Sequence, residues 1–284
     1  MTPLSVVVAA APGLGEPARC ASALLAELEA GDEIVWVGGQ PPTSALAVVV
    51  TGAAGGRGGL YRAGLDVASH ELVAFTDTAT LVLPGWRQAA GGALEGGAAA
   101  VGGPVLPEPG QAARSFAGFV AEYGAHAAPP FSSATGDVAA NNVAYQRTAL
   151  DDVLGPGAPV WKAVVDARLA AAGRPPVIHH SMRVVSTKCY RWSDLVSARA
   201  RHGRLYGAQR AAHLGRFGRA AGVARCVALP LVAYGRLGAR LAVRREFRRR
   251  FVLASPMVLV ALIAWSAGEA AGLWTARGDP SDII

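Results

Sequence analysis

Residues 251–268 run for 18 positions without a charge, and they follow directly on the most basic stretch of the chain. A helix of that composition has to be covered, either by protein or by lipid. After Glu269 the apolar run resumes to Trp274, close to the length that crosses a bilayer. Just before it, residues 199–250 hold 14 Arg and one acid, Glu246, a local charge of +13 within a total of +7. The rest of the chain is therefore net acidic, which argues against a uniformly basic nucleic-acid binder. A basic flank against an apolar run predicts a membrane segment at 251–274 with the Arg side facing the cytoplasm. Arg244, Arg245, Arg248, Arg249 and Arg250 are then expected to meet anionic lipid headgroups, each contributing about 1 kcal/mol.

A second apolar stretch, 226–235, is bounded by Arg225 and Arg236 and is too short to span alone. It reads as interfacial, with a hairpin of two short membrane segments as the alternative. Apolar residues 4–11 follow no Lys or Arg, so they fit a first strand better than an export signal. Cys20, Cys189 and Cys226 are far apart, show no metal-ligand spacing and are expected as free thiols.

The first half alternates. Strand patterns at 5–9, 33–37, 45–50, 71–75 and 98–101 are interleaved with helical spacing at 18–29, 60–68 and 86–94. This predicts βαβ units and a mostly parallel sheet flanked by helices. The glycine-rich stretch 52–59 reads as a loop, because it has neither the P-loop ending nor dinucleotide-binding spacing. Residues 108–136 carry few strand signals. Helices are expected at 149–154 and 161–172, a strand within 177–185, and Arg-rich helix from Trp192 onward.

Several segments, taken in order, resemble the family 2 glycosyltransferases of GT-A fold, in a membrane-anchored bacterial branch. They are Ser5-Val-Val-Val, Arg57-Gly-Gly-Leu-Tyr-Arg-Ala-Gly64, Val73-Ala-Phe-Thr-Asp77, Pro84-Gly-Trp86 and Asn141-Asn-Val-Ala-Tyr-Gln-Arg147. Arg168-Leu-Ala-Ala-Ala-Gly173, Arg201-His-Gly-Arg-Leu-Tyr-Gly207 and Ala264-Trp-Ser-Ala-Gly-Glu-Ala-Ala-Gly272 continue the series. The resemblance implies a GT-A domain over 1–192, an Arg-rich helical region over 193–250, a transmembrane segment over 251–274 and a short tail over 275–284. It also implies transfer of a sugar, with inversion, from a nucleotide-sugar donor to a cell-envelope or lipid-linked acceptor at the cytoplasmic membrane face. A magnesium or manganese ion would neutralise the leaving diphosphate. No nucleic acid is implied.

The implied roles fall on named residues. Asp77 would contact donor or metal, with Thr78, Arg62 and Arg57 beside the phosphates. Asn141, Asn142 and Trp86 would lie on the acceptor side. The family's acids are missing at several places. Gly38 stands where an acid is expected after the second strand, Ala79 where the second acid of an Asp-x-Asp motif belongs, and Lys162 near the catalytic base. Ser186 replaces a histidine. The incomplete motif leaves a metal-independent site equally open. Asp166 is the nearest replacement for the base, although an exposed helical charge is its ordinary reading, and Lys162 could meet a diphosphate directly. Asp151 and Asp152 are further candidates. His179 and His180 are adjacent, point to opposite faces of a strand and make a poor metal pair. The missing acids keep a second reading alive, a catalytically degenerate scaffold or regulator of an active membrane transferase.

Overall fold

The computed structural model describes residues 1–11, 15–42, 48–52, 55–127, 137–243 and 245–276. The chain divides into two compact units, Met1–Glu108 with His126–Lys188, and Pro109–Ala125 with Cys189–Ile284. Residues 109–125, within the 1–192 span expected of the GT-A domain, group with the C-terminal helices in the second unit.

The first unit opens with β1 (Leu4–Ala9), α1 (Pro17–Glu27), β2 (Glu33–Val37), β3 (Val48–Val50), α2 (Gly56–Val67), β4 (Leu72–Asp77) and β5 (Thr80–Val82). It continues with α3 (Trp86–Glu95), β6 (Ala100–Gly102) and β7 (Val105–Pro107). The second unit then contributes α4 (Ala113–Tyr123). The first unit resumes with β8 (Val143–Gln146), α5 (Arg147–Val153), α6 (Lys162–Ala171), β9 (Val177–Ile178) and β10 (Val184–Ser186).

Seven strands form one sheet in the order β3-β2-β1-β4-β8-β6-β9. Strands β3, β2, β1 and β4 are parallel, as are β6 and β9, and only β8 runs antiparallel to its neighbours. The mostly parallel sheet expected from the alternation is what the chain adopts. All six residues of β1 and of β4 are buried, as a central parallel strand covered on both faces requires. Val7, Val35, Val73, Phe75 and Tyr145 form one core with Leu60 and Leu65 of α2, Leu150 of α5, and Val165 and Leu169 of α6. A small second sheet, ordered β5-β10-β7, sits beside it.

One expectation is corrected here and others are refined. The stretch 52–59 is not all loop, because α2 begins at Gly56. The strand expected within 177–185 is present as two short pieces: a turn at His180 and Ser181 separates β9, paired with β6, from β10, paired with β5 and β7. The 108–136 stretch holds a helix, α4, while 128–136 lie outside the described residues. Residues 45–47 of the expected third strand also lie outside them, and only Val48–Val50 is described as strand.

Helix α2 reaches the sheet through Gly64. A Cβ there would lie 2.3 Å from Val7 Cγ1 and 2.9 Å from Val37 Cγ2. Gly64→Ala is therefore expected to destabilise by about 1–2 kcal/mol. Overpacking costs about 1–3 kcal/mol and the gain in helix propensity, up to about 1 kcal/mol, offsets part of it. A lower urea midpoint at unchanged slope is the expected readout.

The second unit adds α7 (Trp192–Ala212), α8 (Arg216–Ala242) and α9 (Arg245–Thr275) to α4. Two of these, α8 and α9, are long and apolar enough to cross a membrane. The 226–235 stretch, expected to be too short to span, lies inside the 27-residue α8. Helix α9 is flanked by its partners along its length. Phe116 of α4 meets Phe247, and Ala121 of α4 meets Leu195 of α7 and Ala261 of α9. Leu273 packs with Ala211 of α7 and Cys226 of α8.

Candidate functional site

In an open α/β sheet, ligands bind outside the carboxyl ends of the strands where the strand order reverses. Here the chain winds from β1 outward to β2 and β3, then returns to place β4 on the other side of β1. The last residues of these two central strands, Ala9 and Asp77, are register partners. Asp77 thus ends β4 at the reversal point.

Its surroundings are built from short-range groups. Asp77 is 1% exposed. Its Oδ1 accepts the Ala79 N–H at 3.1 Å and the Thr80 hydroxyl at 2.7 Å, and Oδ2 lies 3.3 Å from the Arg57 guanidinium. Thr80 in turn accepts Asn141 Nδ2 at 2.8 Å, while Asn141 Oδ1 is buried without a hydrogen-bond partner. Thr78 is buried in the same turn, and its carbonyl accepts the Glu16 N–H at 3.0 Å. Cys20 approaches the Asp77 carbonyl at 3.5 Å, and burial, with the Asp77 charge second, pushes its thiol well up.

Arg57 lies in the first turn of α2, and the same turn reaches α6. Val160 N–H donates to the Gly58 carbonyl at 3.0 Å, and a Cβ on Gly58 would meet Trp161 Nε1 at 3.0 Å. Helix α6 begins one residue later at Lys162. Lys162 Nζ lies 2.6 Å from Asp137 and 3.1 Å from Asp166 Oδ2, one helical turn on. The Tyr145 hydroxyl donates to Asp166 Oδ1 at 2.9 Å. Asp166 is 5% exposed, so the exposed helical charge expected of it is corrected: it faces β8, not water. Burial raises its carboxyl above the usual range, and the Lys162 charge with the Tyr145 hydrogen bond only partly opposes this. Burial also lifts the Tyr145 hydroxyl well up, with the Asp166 charge adding to it.

The structure therefore joins Arg57 to Asp77 and Lys162 to Asp166, and the first turn of α2, which carries Arg57, touches the residues just before α6, which carries Lys162 and Asp166. Other residues are placed differently. Arg62 pairs with Asp66 at 2.6 Å along α2 and not with Asp77. Trp86 is fully buried and donates its Nε1 to Asn142 Oδ1 at 2.8 Å; Asn142 also reaches the Met182 carbonyl at 2.8 Å. Both, expected on the acceptor side, sit in the interior and brace the strand ends. Arg147 donates to the carbonyls of Leu65, Ala68 and His70, closing the end of α2. Asp152 pairs with Arg174 at the surface, and Asp151 is exposed. Arg245, Arg248 and Arg249 are exposed, whereas Arg250 stacks on Phe116 at 4.4 Å; Arg244 lies outside the described residues.

Sequence reasoning missed Tyr145 and Asp137. Tyr145 sits within the quoted 141–147 segment, two residues from buried Val143, so strand alternation there would have pointed it inward.

A divalent cation needs several oxygen ligands. Among the described residues no group of three His, Cys, Asp or Glu side chains could hold one. Ala79, where the second acid was expected, is 1% exposed, and a Cβ on Gly15 would lie 2.3 Å from its Cα. Asp77 Oδ1 is hydrogen-bonded, while Oδ2 is buried with no hydrogen-bond partner and lies 3.3 Å from the Arg57 guanidinium; this single carboxylate beside a cation does not, among the described residues, make a metal site. The positive charge at this edge comes from Arg57.

No family model matches the sequence, and no curated protein matches it. Solved structures similar to the chain include S. aureus TarS 1-349 in complex with UDP-GlcNAc, at 12% identity and a TM-score of 0.47. That match covers 66% of this chain and 59% of TarS 1-349, so the chain spans well under two thirds of that structure. A mycobacterial protein is similar at 20% identity and a TM-score of 0.43, covering 67% of this chain and 68% of the other. Glucosyl-3-phosphoglycerate synthase from Mycobacterium tuberculosis, in complex with Mn2+, UDP and phosphoglyceric acid, is similar at 20% identity and a TM-score of 0.42. It covers 67% of this chain and 72% of its own.

Proposed function

We propose that the chain is a glycosyltransferase of the family 2 type. It would bind a nucleoside-diphosphate sugar at the strand-end edge around Asp77 and transfer the sugar, with inversion, to a lipid-linked or cell-envelope acceptor at the cytoplasmic membrane face. The observation that carries this reading is the buried Asp77–Arg57 pair at the point where the strand order reverses. Arg57 offers a planar fork of donors suited to a diphosphate, held in place by Asp77. Lys162 supplies a second cation. Asp166 is the general base, and its raised proton affinity suits it to taking a proton from an acceptor hydroxyl. The two apolar helices support association with a membrane.

One observation favours the second reading, a non-catalytic scaffold or regulator. Asp77 and Asp166 each have one oxygen hydrogen-bonded within the protein and the other set against a cation of the protein itself, Arg57 or Lys162. In that reading nucleotide still binds, but nothing accepts the proton.

Calorimetric titration with a panel of nucleoside diphosphates tests the proposal. Binding is expected in EDTA, and Arg57→Lys, which keeps the charge but loses the fork, is expected to weaken it about tenfold. Absence of binding to every nucleoside diphosphate, with or without manganese, removes both readings. Binding without consumption of any donor sugar selects the scaffold.

A further inference from the structure

We infer that the helical unit rests in the plane of an anionic bilayer, one apolar side down, and that α9 does not cross it. The inference builds on the membrane association proposed above and specifies its geometry. Helix α9 exposes one unbroken apolar stripe, which includes Val252, Pro256, Val260, Ile263, Ala267 and Trp274. It extends about 33 Å at the ordinary helical rise. Helix α8 exposes another at Phe217, Ala221, Ala224, Val227 and Leu231, with Val227 82% exposed.

The remaining sides of α9 are occupied by protein, and one of its neighbours cannot enter hydrocarbon. The C-terminal half of α9 interlocks with α7 through glycines on both helices. A Cβ on Gly203 or Gly207 would lie 2.0 Å from the Trp265 carbonyl or 2.1 Å from that of Glu269. A Cβ on Gly268 or Gly272 would lie 2.0 Å from the Ala200 carbonyl or 1.9 Å from that of Arg204. The two backbones are in contact, so wherever this half of α9 goes, α7 goes too. Helix α7 presents Asp194, Ser197, Arg201 and Arg204 to solvent. A crossing α9 would carry those charges into the bilayer, where ionisable side chains are costly. At the same crossing, Glu269 of α9 is 1% exposed and is ion-paired with Arg210 of α7, with Arg225 of α8 at 3.8 Å. This charge node fixes α7, α8 and α9 to one another.

A helix apolar on one side and basic beside it lies in the interface. The exposed Arg216, Arg236, Arg240, Arg245, Arg248 and Arg249 supply the basic border. Their charge commits the surface to an anionic bilayer.

Spin labels at Val252→Cys, Ile263→Cys and Trp274→Cys test this in the full chain. Cys189→Ser removes the exposed native thiol, Cys20 and Cys226 being buried. The probe is vesicles of equal phosphatidylcholine and phosphatidylglycerol. In-plane seating places all three labels at one shallow depth, about 5–10 Å into the boundary, with a label at Arg204→Cys still in water. A label at Ile263→Cys near the bilayer centre, about 15 Å deep, with Val252→Cys and Trp274→Cys near opposite surfaces overturns the inference. That result leaves membrane association standing. Failure of the protein to bind these vesicles overturns both. The unsubstituted protein gives an independent measure on sealed vesicles. Trypsin added outside should cut at both Arg216 and Arg245, the residues that open α8 and α9. If one cut appears only after detergent, the inference fails.

Discussion

Asp77→Ala is expected to cost about 3–5 kcal/mol of stability, because it removes a buried carboxylate 3.3 Å from the Arg57 guanidinium in a nearly dry site. The side chains of Asp77 and Arg57 are 1% and 11% exposed, so water screens the pair little. The substitution also strips the Thr80 hydroxyl and the Ala79 N–H of their acceptor. Asp77→Ala combined with Arg57→Met should recover much of the loss, since replacing both members of a buried ion pair with apolar groups costs less than removing one of them. Urea denaturation of the wild type, the single variant and the double variant gives the comparison. If the double variant is no more stable than the single, Asp77 does not hold Arg57 by charge. Nucleotide binding should be lost in both variants, which separates the pair's role in binding from its role in folding.

Arg87→Met should be comparably damaging, by about 3–5 kcal/mol, for a purely structural reason. Both side chains of the Arg87–Asp32 pair are 1% exposed. Arg87 Nε and a terminal nitrogen donate to the two Asp32 oxygens at 2.7 and 2.8 Å, and the guanidinium also reaches the Thr2 carbonyl. Burial by itself would raise the Asp32 carboxyl. The hydrogen bonds from Arg87, with the N–H groups of Glu29 and Leu4, outweigh it and hold the carboxyl below the usual range. A carboxyl lowered in the folded state stabilises above its unfolded value, about 3.9, and that contribution is lost as pH falls through the folded value. The wild type should therefore weaken in acid, and its lead over Arg87→Met should narrow as pH drops below about 4. A gap that stays constant from neutral pH to pH 3 would count against the ionic account.

Much of the first unit was legible because burial writes itself into local pattern. Strands β1, β2 and β4 carry β-branched runs, and α1, α3 and α6 carry helical spacing, so each lies within a few residues of its expected place. The short strands β5, β7 and β8 escaped notice. They have three or four residues each, and what makes them strands is pairing with partners far away in sequence. Helix α4 was hidden in a Gly-, Pro- and Ala-rich stretch for the same reason. Phe116 and Ala121 find their partners on α7 and α9. At the site, Asp77, Arg57, Lys162 and Asp166 could each be named from the motifs. Their pairing could not, because it depends on how closely α2 approaches β4 and on which way α6 turns. Asp166 misled because helical position alone does not reveal that the covering strand brings a tyrosine.

The position of α4 also has a consequence for synthesis on the ribosome. Its residues Phe116 and Ala121 leave the exit tunnel well before Phe247 and Ala261 of α9, which they meet and which follow more than a hundred residues later. At about 5–20 residues per second, that interval lasts roughly 6–25 s. During it, the remaining strands of the amino-terminal sheet are synthesised, while the partners of α4 on α9 do not yet exist. A nascent chain of this design is a natural client for a holdase, and a message truncated after the sheet would yield a product whose α4 never meets its α9 partners.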